Sequence, residues 1–393
     1  MQPPVEYSEV LKLGHPLHEK WLRYKRMADR GHTELRKWKN FLKGETVYVL
    51  GNGPSLKSVN PAALDGQNII STNRGFLYYD KTQPAALWNV VQDAGRIVEL
   101  NEGFEASRYI TFTCPAVASD KILGIIESCP KMRLLMGEFR IRKKGDEWVF
   151  AVDHASAARF EMDATWDSLG RSVLFGAIQL GVYLGAREIV LLGCDLDYSG
   201  KDTHFTKIEG HYPQGYGYGY EYERCSRGTL LTYRDMCEER GIRLVNATTP
   251  SQIDVIENED LCATIQRSRH ELSMKKARNF MRFLKTEQAH GRPCWVWGAG
   301  SGAERVKDYL AAHGIAVNGF VDRNEEPGGR SFLGAPVVRL DPKRIYDGAE
   351  MPLIVIGTDR FADVDVALDA LGYNRDMDYT AHIFQDLVDY TGH

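Results

Sequence analysis

The chain has 393 residues, of which 49 are Lys or Arg and 53 are Asp or Glu, so its formal net charge is -4. A chain this close to neutral lacks the basic excess of proteins that bind nucleic acid through its phosphates, so no nucleic-acid partner is expected. Hydrophobic residues make up 43% of the chain, enough for substantial cores. At about 150 residues per domain, the length predicts two or three domains.

The sequence favours a cytoplasmic protein. No window approaches the roughly 18–20 uninterrupted apolar residues of a membrane span, and residues 1–14 lack the apolar core of a secretory signal. The seven cysteines are odd in number and never form a Cys-x-x-Cys pair. They therefore indicate neither a disulfide framework nor a zinc site, and no metal centre is predicted.

Residues 1–44 are predicted to form an N-terminal helical extension. Aromatic and aliphatic residues around Trp21 and Tyr24 are interspersed with Lys and Arg, and a second helical stretch runs from Glu34 to Leu42. Basic helices of this kind either pack on the main domain with a solvated face or contact an anionic membrane surface or an acidic partner. Both interpretations stay open here.

Residues 45–256 are predicted to form a parallel-sheet domain of the α/β class. Helices are expected over Ser172–Leu184 and Leu230–Arg240, and strands are expected where short apolar runs occur. These runs are Val47–Leu50, Asn68–Thr72, Ala86–Val91, Tyr109–Thr113, Glu188–Leu192 and Ile242–Val245. Nearly continuous apolar strands that alternate with helices are typical of a parallel sheet covered on both faces.

Polar residues follow the carboxyl ends of these strands, where ligands bind in parallel sheets. They are Asn52, Asn73, Asp93, Asp195 and Asn246. The loop from Gly51 to Ser55 lies between a strand and an expected helix start, so its glycines allow a ligand close to the backbone and its amides suit a phosphate. No Gly-Lys-Ser/Thr follows, so it is not a Walker A loop. A tight turn without function is the alternative.

Several motifs occur in the order found in a known superfamily. They are Gly51-Asn52-Gly53-Pro54-Ser55-Leu56, Thr72-Asn73-Arg74, Pro84 with Asp93, Gly170-Arg171-Ser172-Val173, and Leu191-Leu192-Gly193-Cys194-Asp195-Leu196-Asp197-Tyr198 through Thr203-His204. With them, residues 45–256 resemble the superfamily that joins the bacterial CMP-sialic acid transferases of glycosyltransferase family 42, the motility-associated-factor glycosyltransferases and the 6-hydroxymethylpterin diphosphokinases. The resemblance implies a Rossmann-like catalytic domain that is a variant of the GT-A fold.

The resemblance also implies where a nucleotide would bind. Asp93 replaces an asparagine of the sialyltransferase branch and matches the pterin kinase branch, whereas Ser172 keeps one hydroxyl of a Thr-Ser pair. The implied nucleotide-binding residues are Gly51, Asn52, Gly53, Ser55, Asn73, Asp93, Ser172 and Asp195.

Three catalytic residues are implied in the same way. The general base of the sialyltransferase branch is a histidine that precedes the helix predicted at Leu230. Strict alignment with that branch places Arg224 at the position of this histidine. His211 is therefore the nearest upstream candidate for the general base, and His204 is the alternative candidate. Histidine suits the removal of a hydroxyl proton near neutral pH. Tyr198 and His204 lie near positions that steady the leaving phosphate in that branch.

Residues 257–290 are predicted to be a charged helical connector, and residues 291–393 a second, small Rossmann-like domain. Strand Cys294–Trp297 leads into Gly298-Ala299-Gly300-Ser301-Gly302-Ala303, and Asp322 follows about twenty residues later, as in the dinucleotide fingerprint. Nucleotide or sugar-nucleotide binding and a structural role, such as formation of a homo-oligomer, are both compatible with this module.

These observations lead to one preferred function and two alternatives. The preferred function is transfer of a nucleotide-activated sugar, a CMP-linked nonulosonic donor, onto a bacterial glycan or protein acceptor, without a metal or other cofactor. The first alternative is a pyrophosphokinase of the 6-hydroxymethylpterin type, in which Asp93 and Asp195 would hold Mg²⁺ against ATP phosphates. The second alternative is a non-enzymatic sugar-nucleotide sensor or scaffold.

Overall fold

A computed structural model describes residues 17–75, 77, 84–99, 110–115, 117–135, 139–144, 147–152, 162, 172–196, 226–323, 330–339, 352–358, 360–375 and 378–383. The chain divides into two compact units, Met1–Ser268 and Arg269–His393. The domain boundaries drawn from the sequence after residues 44, 256 and 290 stay predictions.

The helices and strands of the first unit alternate along most of its length. In chain order they are α1 (His18–Arg36), β1 (Thr46–Leu50), β2 (Asn68–Thr72), β3 (Ala86–Val91), α2 (Ala94–Glu99), β4 (Ile110–Thr113), β5 (Val117–Ala118), α3 (Asp120–Ser128), β6 (Met132–Leu134), β7 (Phe139–Lys144), β8 (Glu147–Val152), α4 (Val173–Tyr183), β9 (Glu188–Leu192), α5 (Arg227–Glu238), β10 (Arg243–Asn246) and β11 (Glu257–Asn258). Short 3₁₀ helices at Pro54–Ser58 and Pro61–Leu64 separate β1 from β2.

An eight-stranded sheet carries this unit, with the described strands in the order β11-β10-β9-β1-β2-β3-β4-β6. Every pairing in it is parallel. The predicted α/β class with a parallel sheet is therefore confirmed. From β1 the chain builds outward through β2, β3, β4 and β6, then returns to place β9 on the other side of β1. The strand order thus reverses between β1 and β9.

The sheet is covered on both faces, because successive side chains of a strand point to opposite sides. Val47 and Val49 of β1 belong to the core on the face where α4 packs. Tyr48 and Leu50 belong to the core on the other face, where α1 packs. This two-sided burial explains why the strand runs are apolar throughout instead of alternating with polar residues.

Helix α1 packs through an apolar stripe and leaves several of its basic residues exposed. Trp21 and Tyr24 are buried, with their rings stacked at 5.9 Å between centroids. Lys25, Arg26 and Arg30 are exposed. Packing of α1 on the main domain, one of the two interpretations left open by the sequence, is therefore observed. Contact of the basic face with a membrane or an acidic partner stays a prediction.

A three-stranded sheet in the order β5-β8-β7 was not expected from the sequence. Its described pairings are antiparallel, and β7 and β8 pair as a hairpin over their full lengths. Phe150 of β8 contacts Trp21 and Tyr24 of α1, at 6.0 and 5.2 Å between ring centroids. The first unit is therefore more than a parallel sheet with helices, because this hairpin covers part of α1.

A buried carboxylate organises the edge of the large sheet where the strands begin. Glu188, the first residue of β9, is fully buried, and Thr46 Oγ1 donates a hydrogen bond to it at 3.0 Å. Arg243 Nη1 and Arg267 Nη2 each donate to Glu188 Oε1 at 2.8 Å. Both arginines also bind Glu259, and the hydrogen bond from Arg267 lowers the pKa of the Glu259 carboxyl.

The second unit contains a mixed sheet of six described strands. After α6 (Leu261–Ala289), which spans the division between the units, the elements are β12 (Cys294–Trp297), α7 (Ser301–Ala312), β13 (Gly319–Val321), β14 (Arg330–Phe332), β15 (Ala335–Val338), β16 (Leu353–Ile356), α8 (Phe361–Asp369) and β17 (Tyr379–Thr380). The strand order is β14-β15-β13-β12-β16-β17, and only the pairing of β14 with β15 is antiparallel among those described. None of the helices that the structure describes is both long and apolar enough to cross a bilayer.

The buried cysteines should resist thiol reagents in the native protein. Burial raises the pKa of the Cys194, Cys237 and Cys294 thiols to about 12, whereas Cys262 is exposed. Because the thiolate is the reactive form, we expect these three to be alkylated at least about a hundredfold more slowly than Cys262. Mass spectrometry of iodoacetamide-treated native protein, with denatured protein as the control, measures the rates. Equal rates for Cys194 and Cys262 would contradict the burial.

Candidate functional site

The candidate site lies where the strand order of the large sheet reverses. Because β2 and β9 flank β1 on opposite sides, the carboxyl edge between β1 and β9 is the place where a sheet of this order forms its ligand crevice. Open α/β sheets bind their ligands at this kind of reversal. The loop Gly51–Ser55 and the residues around Asp195, both singled out from the sequence, meet there.

The two loops approach each other closely because glycines face each other. Gly51 N donates to Leu192 O and Gly53 N donates to Gly193 O, both at 2.8 Å, which extends the β1–β9 pairing beyond the strands. A Cβ on Gly51 would lie 2.3 Å from Gly193 O, and one on Gly53 would lie 1.7 Å from Asp195 Oδ2. Gly193 itself has φ +68°, a backbone conformation that glycine adopts without strain.

Asp195 holds the start of the 3₁₀ helix that follows β1. Its carboxylate accepts hydrogen bonds from Ser55 N at 3.1 Å and from Ser55 Oγ at 2.7 Å, and the residue is only 5% exposed. On the other side, Asp195 O accepts from Gln252 N at 3.0 Å. Asp195 therefore fixes the shape of the crevice by joining three loops.

The side-chain amide of Asn52 has a defined orientation. Its Nδ2 lies 2.8 Å from Thr72 Oγ1, and that hydroxyl donates its one hydrogen to Leu50 O at 2.9 Å. Thr72 must therefore accept from the Asn52 amide, which fixes the amide nitrogen on the Thr72 side. The Asn52 Oδ1 atom is buried and has no hydrogen-bond partner among the described residues.

Asn73, which follows β2, also has a buried side-chain oxygen for which the described residues supply no hydrogen-bond partner. Its φ of +45° is uncommon for any residue but glycine, and asparagine tolerates it better than most. Its main-chain oxygen accepts from Asn89 Nδ2 at 3.5 Å, whereas its side-chain Oδ1 is buried and lacks a partner within the described ranges. Two buried acceptor atoms at neighbouring strand ends thus lack a donor among the described residues.

The other predicted residues with described positions have local structural roles. Ser172 caps α4, with Leu174 N donating to its Oγ at 3.3 Å, and the exposed Asp93 accepts from Gly95 N at 2.7 Å. Asn246 donates to Asn258 Oδ1 at 2.7 Å. No described hydrogen bond joins Ser172 or Asp93 to the loops after β1 and β9. Asn246 reaches the β9 loop through Thr248, because Thr248 N donates to Asn246 Oδ1 at 3.1 Å and Cys194 N donates to Thr248 Oγ1 at 3.0 Å. Three predicted catalytic residues lie outside the described residues; they are Tyr198, His204 and His211.

Two arginines near the carboxyl ends of β2 and β3 were not assigned a role from the sequence. Arg74 and Arg96 are both buried, and both form ion pairs with Glu99. Asp93 Oδ2 lies 3.8 Å from Arg96 Nε. The sequence does offer a signal for these ion pairs. Asp93, Arg96 and Glu99 are three residues apart, and side chains at that spacing are neighbours on a helix. An acid at position 93 thus has a local counter-charge.

Asp93 and Asp195 are too far apart in the sheet to share one metal ion. The order β9-β1-β2-β3 places three strand spacings between them, and at about 4.8 Å each this is roughly 14 Å. Magnesium binds its oxygen ligands at about 2.1 Å. Within the part of the chain that the structure describes, no three His, Cys, Asp or Glu side chains gather as a metal site requires.

The second unit has a reversal of its own between β12 and β16. Gly298 follows β12 with φ +118°, and a Cβ on Gly357 after β16 would lie 2.8 Å from Ala303 Cα in α7. Asp322, which occupies the fingerprint's acidic position, accepts from Arg330 Nη2 at 3.0 Å. The fingerprint residues therefore surround the start of α7, and Asp322 already has a charged partner.

No protein-family model and no curated protein matches this chain. Among solved structures, the crystal structure of GsuK bound to ADP aligns with 89% of this chain and 68% of its own chain, at 10% identity and a TM-score of 0.19. A TM-score this low does not indicate a shared fold, so the similarity carries no argument about the site.

Proposed function

We propose that the first unit is a Rossmann-like glycosyltransferase domain, a variant of the GT-A fold, that binds a nucleotide-activated sugar at the carboxyl ends of β1, β2 and β9. The donor is a CMP-linked nonulosonic sugar, and the acceptor is a bacterial glycan or a protein. The geometry supports the place of binding, and the sequence resemblance supports the nucleotide, the sugar and the reaction.

The pair of buried amide oxygens, Asn52 Oδ1 and Asn73 Oδ1, carries the proposal. A buried acceptor without a donor costs roughly 1–3 kcal/mol, so a ligand that supplies a donor gains affinity there. The amino group of cytosine and the hydroxyls of ribose are donors of this kind. The position beside the strand-order reversal is the usual place for a nucleotide in an open α/β sheet.

The proposed reaction is a direct displacement at the anomeric carbon of the donor. The acceptor oxygen forms the new glycosidic bond, the bond from the anomeric carbon to the phosphate oxygen breaks, and the nucleotide monophosphate leaves with the electron pair. His211 or His204 takes the acceptor proton, and Tyr198 and His204 stabilise the departing phosphate through hydrogen bonds.

The pyrophosphokinase remains the second candidate because position 93 is an acid, as in the pterin kinases. Two observations weaken this support. Asp93 has Arg96 as a counter-charge, and the strand order keeps Asp93 and Asp195 from sharing one ion. Any magnesium would then be held by one of these carboxylates together with ATP phosphates.

A thermal-shift screen with CMP, CDP, UDP, GDP and ATP, each with and without Mg²⁺, tests the proposal, because a ligand of the native state raises the melting temperature. We expect CMP and CDP to raise it regardless of Mg²⁺. A rise with ATP that needs Mg²⁺ would transfer the assignment to the pyrophosphokinase. Binding of a CMP-sugar without turnover on any acceptor would favour the sensor.

Asn73→Gly should weaken nucleotide binding about tenfold, because it removes one hydrogen bond to the ligand. Glycine also accepts the positive φ, so the backbone should keep its shape. The matched control is Asn40→Gly, an asparagine with φ +59° on an exposed loop that precedes β1. Isothermal titration with CMP measures both variants, and equal affinity for Asn73→Gly and the unmodified protein would remove Asn73 from the site.

His211→Ala should lower turnover about a hundredfold or more while nucleotide affinity changes little, because a general base acts on the acceptor and not on the donor. His204→Ala serves as the paired variant. His204→Ala should lower turnover in either case, because His204 also stabilises the departing phosphate. If His204 is the base, His211→Ala should leave turnover nearly unchanged. Unchanged turnover in both variants would overturn the proposed proton transfer.

A further inference from the structure

Asn246 belongs to a series of hydrogen bonds that leads from β10 to the candidate site. Its Nδ2 donates to Asn258 Oδ1 of the neighbouring strand β11 at 2.7 Å. Its Oδ1 faces the other way and accepts from Thr248 N at 3.1 Å. Asn246 and Thr248 are both buried. A side chain of β10 therefore fixes the backbone of the loop that follows this strand.

Thr248 binds the segment that carries Asp195. Gly193, directly after β9, has φ +68° and lies at a bend of the chain. The next amide, Cys194 N, donates to Thr248 Oγ1 at 3.0 Å. The same hydroxyl donates its one hydrogen to Leu191 O over a longer distance, 3.5 Å. The substitution Thr248→Val would thus remove a buried acceptor from the amide next to Asp195.

Two further residues of this loop bind the main chain beside Asp195. Ser251 Oγ donates to Cys194 O at 3.1 Å, and Gln252 N donates to Asp195 O at 3.0 Å. Together with the contact to Thr248, they hold Cys194 at both its amide and its carbonyl. The backbone that carries the Asp195 carboxylate is therefore fixed from the side of β10.

The Asp195 carboxylate passes this position on to the loop after β1. Its two oxygens accept from Ser55 N at 3.1 Å and from Ser55 Oγ at 2.7 Å. The fit is close, because a Cβ on Gly53 would lie 1.7 Å from Asp195 Oδ2. A displacement of Asp195 would therefore either lengthen both hydrogen bonds or press the carboxylate against the main chain of Gly53.

We propose that Thr248 is a positioning residue of the candidate site, which sets Asp195 through Cys194, and that Asn246 holds Thr248 in place. The order of the loop Gly51–Ser55 then depends on a hydroxyl that lies beyond Asp195. The expected effect on nucleotide affinity rests on the proposed function, whereas the order of the loop can be measured without a ligand.

Hydrogen–deuterium exchange of the full chain, resolved to single amides by mass spectrometry, tests the order of the loop. Thr248→Val removes the hydroxyl but keeps the shape of the side chain, so we expect the Ser55 amide to exchange about tenfold faster. Thr248→Ser keeps the hydroxyl and should restore the original rate. Asn246→Ala leaves the Thr248 hydroxyl in place and should accelerate exchange less, about threefold. An unchanged Ser55 rate in Thr248→Val would overturn the proposal.

The matched control is Thr46→Val. It also removes a buried threonine hydroxyl, but at the opposite edge of the sheet, where Thr46 donates to Glu188. The Ser55 amide should exchange in this variant as it does in the unmodified protein. Equal acceleration in Thr46→Val and Thr248→Val would reveal a general loss of stability, and the positioning role would be refuted.

Titration with CMP tests the consequence for binding. Thr248→Val should lower the affinity about tenfold, whereas Thr248→Ser and Thr46→Val should change it less than about twofold. Because Thr248 acts through Asp195 on Ser55, the double variant Thr248→Val with Ser55→Ala should bind CMP as Ser55→Ala alone does. Additive losses would refute this route.

The outcomes distinguish a wrong positioning role from a wrong function. If the unmodified protein does not bind CMP, but Ser55 exchange responds to Thr248→Val and not to Thr46→Val, the proposed function fails and the positioning role stands. If CMP binds and Ser55 exchange responds to neither substitution, the positioning role fails and the proposed function stands.

Discussion

Gly51→Ala is expected to separate the two loops of the candidate site and to abolish nucleotide binding. The new Cβ would lie 2.3 Å from Gly193 O, and this neighbour is backbone, which cannot rotate away. Moving it disrupts the hydrogen bonds that extend β1 along β9. Overpacking of this kind typically costs 1–3 kcal/mol, and we expect about 3 kcal/mol at this site. Urea unfolding and the melting shift with CMP measure the two effects.

The matched control for this substitution is Gly66→Ala. Gly66 has φ +72° but a Cβ there would meet no atom within 4 Å, so the cost is only that of the strained backbone, about 1 kcal/mol. This variant should bind nucleotide normally. If Gly51→Ala were as stable as Gly66→Ala and kept its CMP shift, the close approach of the loops would be refuted.

Glu188→Ala should be the most destabilising change at the opposite edge of the sheet, by about 3–5 kcal/mol. It removes a fully buried carboxylate that accepts hydrogen bonds from Thr46, Arg243 and Arg267. It also leaves a cavity at the start of β9. The midpoint of urea unfolding of the full chain should fall accordingly, as measured by circular dichroism.

Glu257→Ala is the comparison variant, because Glu257 binds the same Arg243 but is more than half exposed. Exposed ion pairs contribute about 0–1 kcal/mol, so its unfolding midpoint should hardly move. Equal destabilisation by Glu188→Ala and Glu257→Ala would show that the burial of Glu188 does not matter.

Strands buried on both faces were the easiest part of the fold to predict. The predicted bounds of β2, β3, β9 and β12 match the structure, because each is a short apolar run that is followed by Gly, Asn or another polar residue. Where no such residue marks the boundary of an element, the predicted boundary differs from the observed one. The helix predicted to begin at Leu230 begins at Arg227.

The antiparallel hairpin and the shortest parallel strands were missed because their signal in the sequence is weak. Strands β7 and β8 pair with each other, but charged residues at Arg140, Arg142–Lys144 and Glu147 interrupt the apolar alternation that would have predicted them. Strands β6, β11 and β17 have two or three residues each and acquire their conformation by pairing with a longer neighbour. Such strands depend on contacts that are distant in sequence.

The site was predictable at the level of strand ends but not of individual contacts. Asn52, Asn73 and Asp195 were chosen because each follows a strand, and the structure places Asn52 and Asp195 in one crevice with Asn73 at the next strand end. That Asp195 binds Ser55 could not be inferred, because the two residues are 140 positions apart. Burial of Arg74 and Arg96 likewise depends on the tertiary structure.

The separation of the two site loops along the chain has a consequence for biosynthesis. The ribosome must release both the loop after β1 and the loop after β9 before Ser55 can meet Asp195, and synthesis proceeds at about 5–20 residues per second. Strands β2, β3, β4 and β6 can pair earlier, since each lies beside a strand made shortly before it. The nascent protein therefore acquires most of its sheet several seconds before it acquires a complete crevice, and a nucleotide present in the cell would stabilise only the later state.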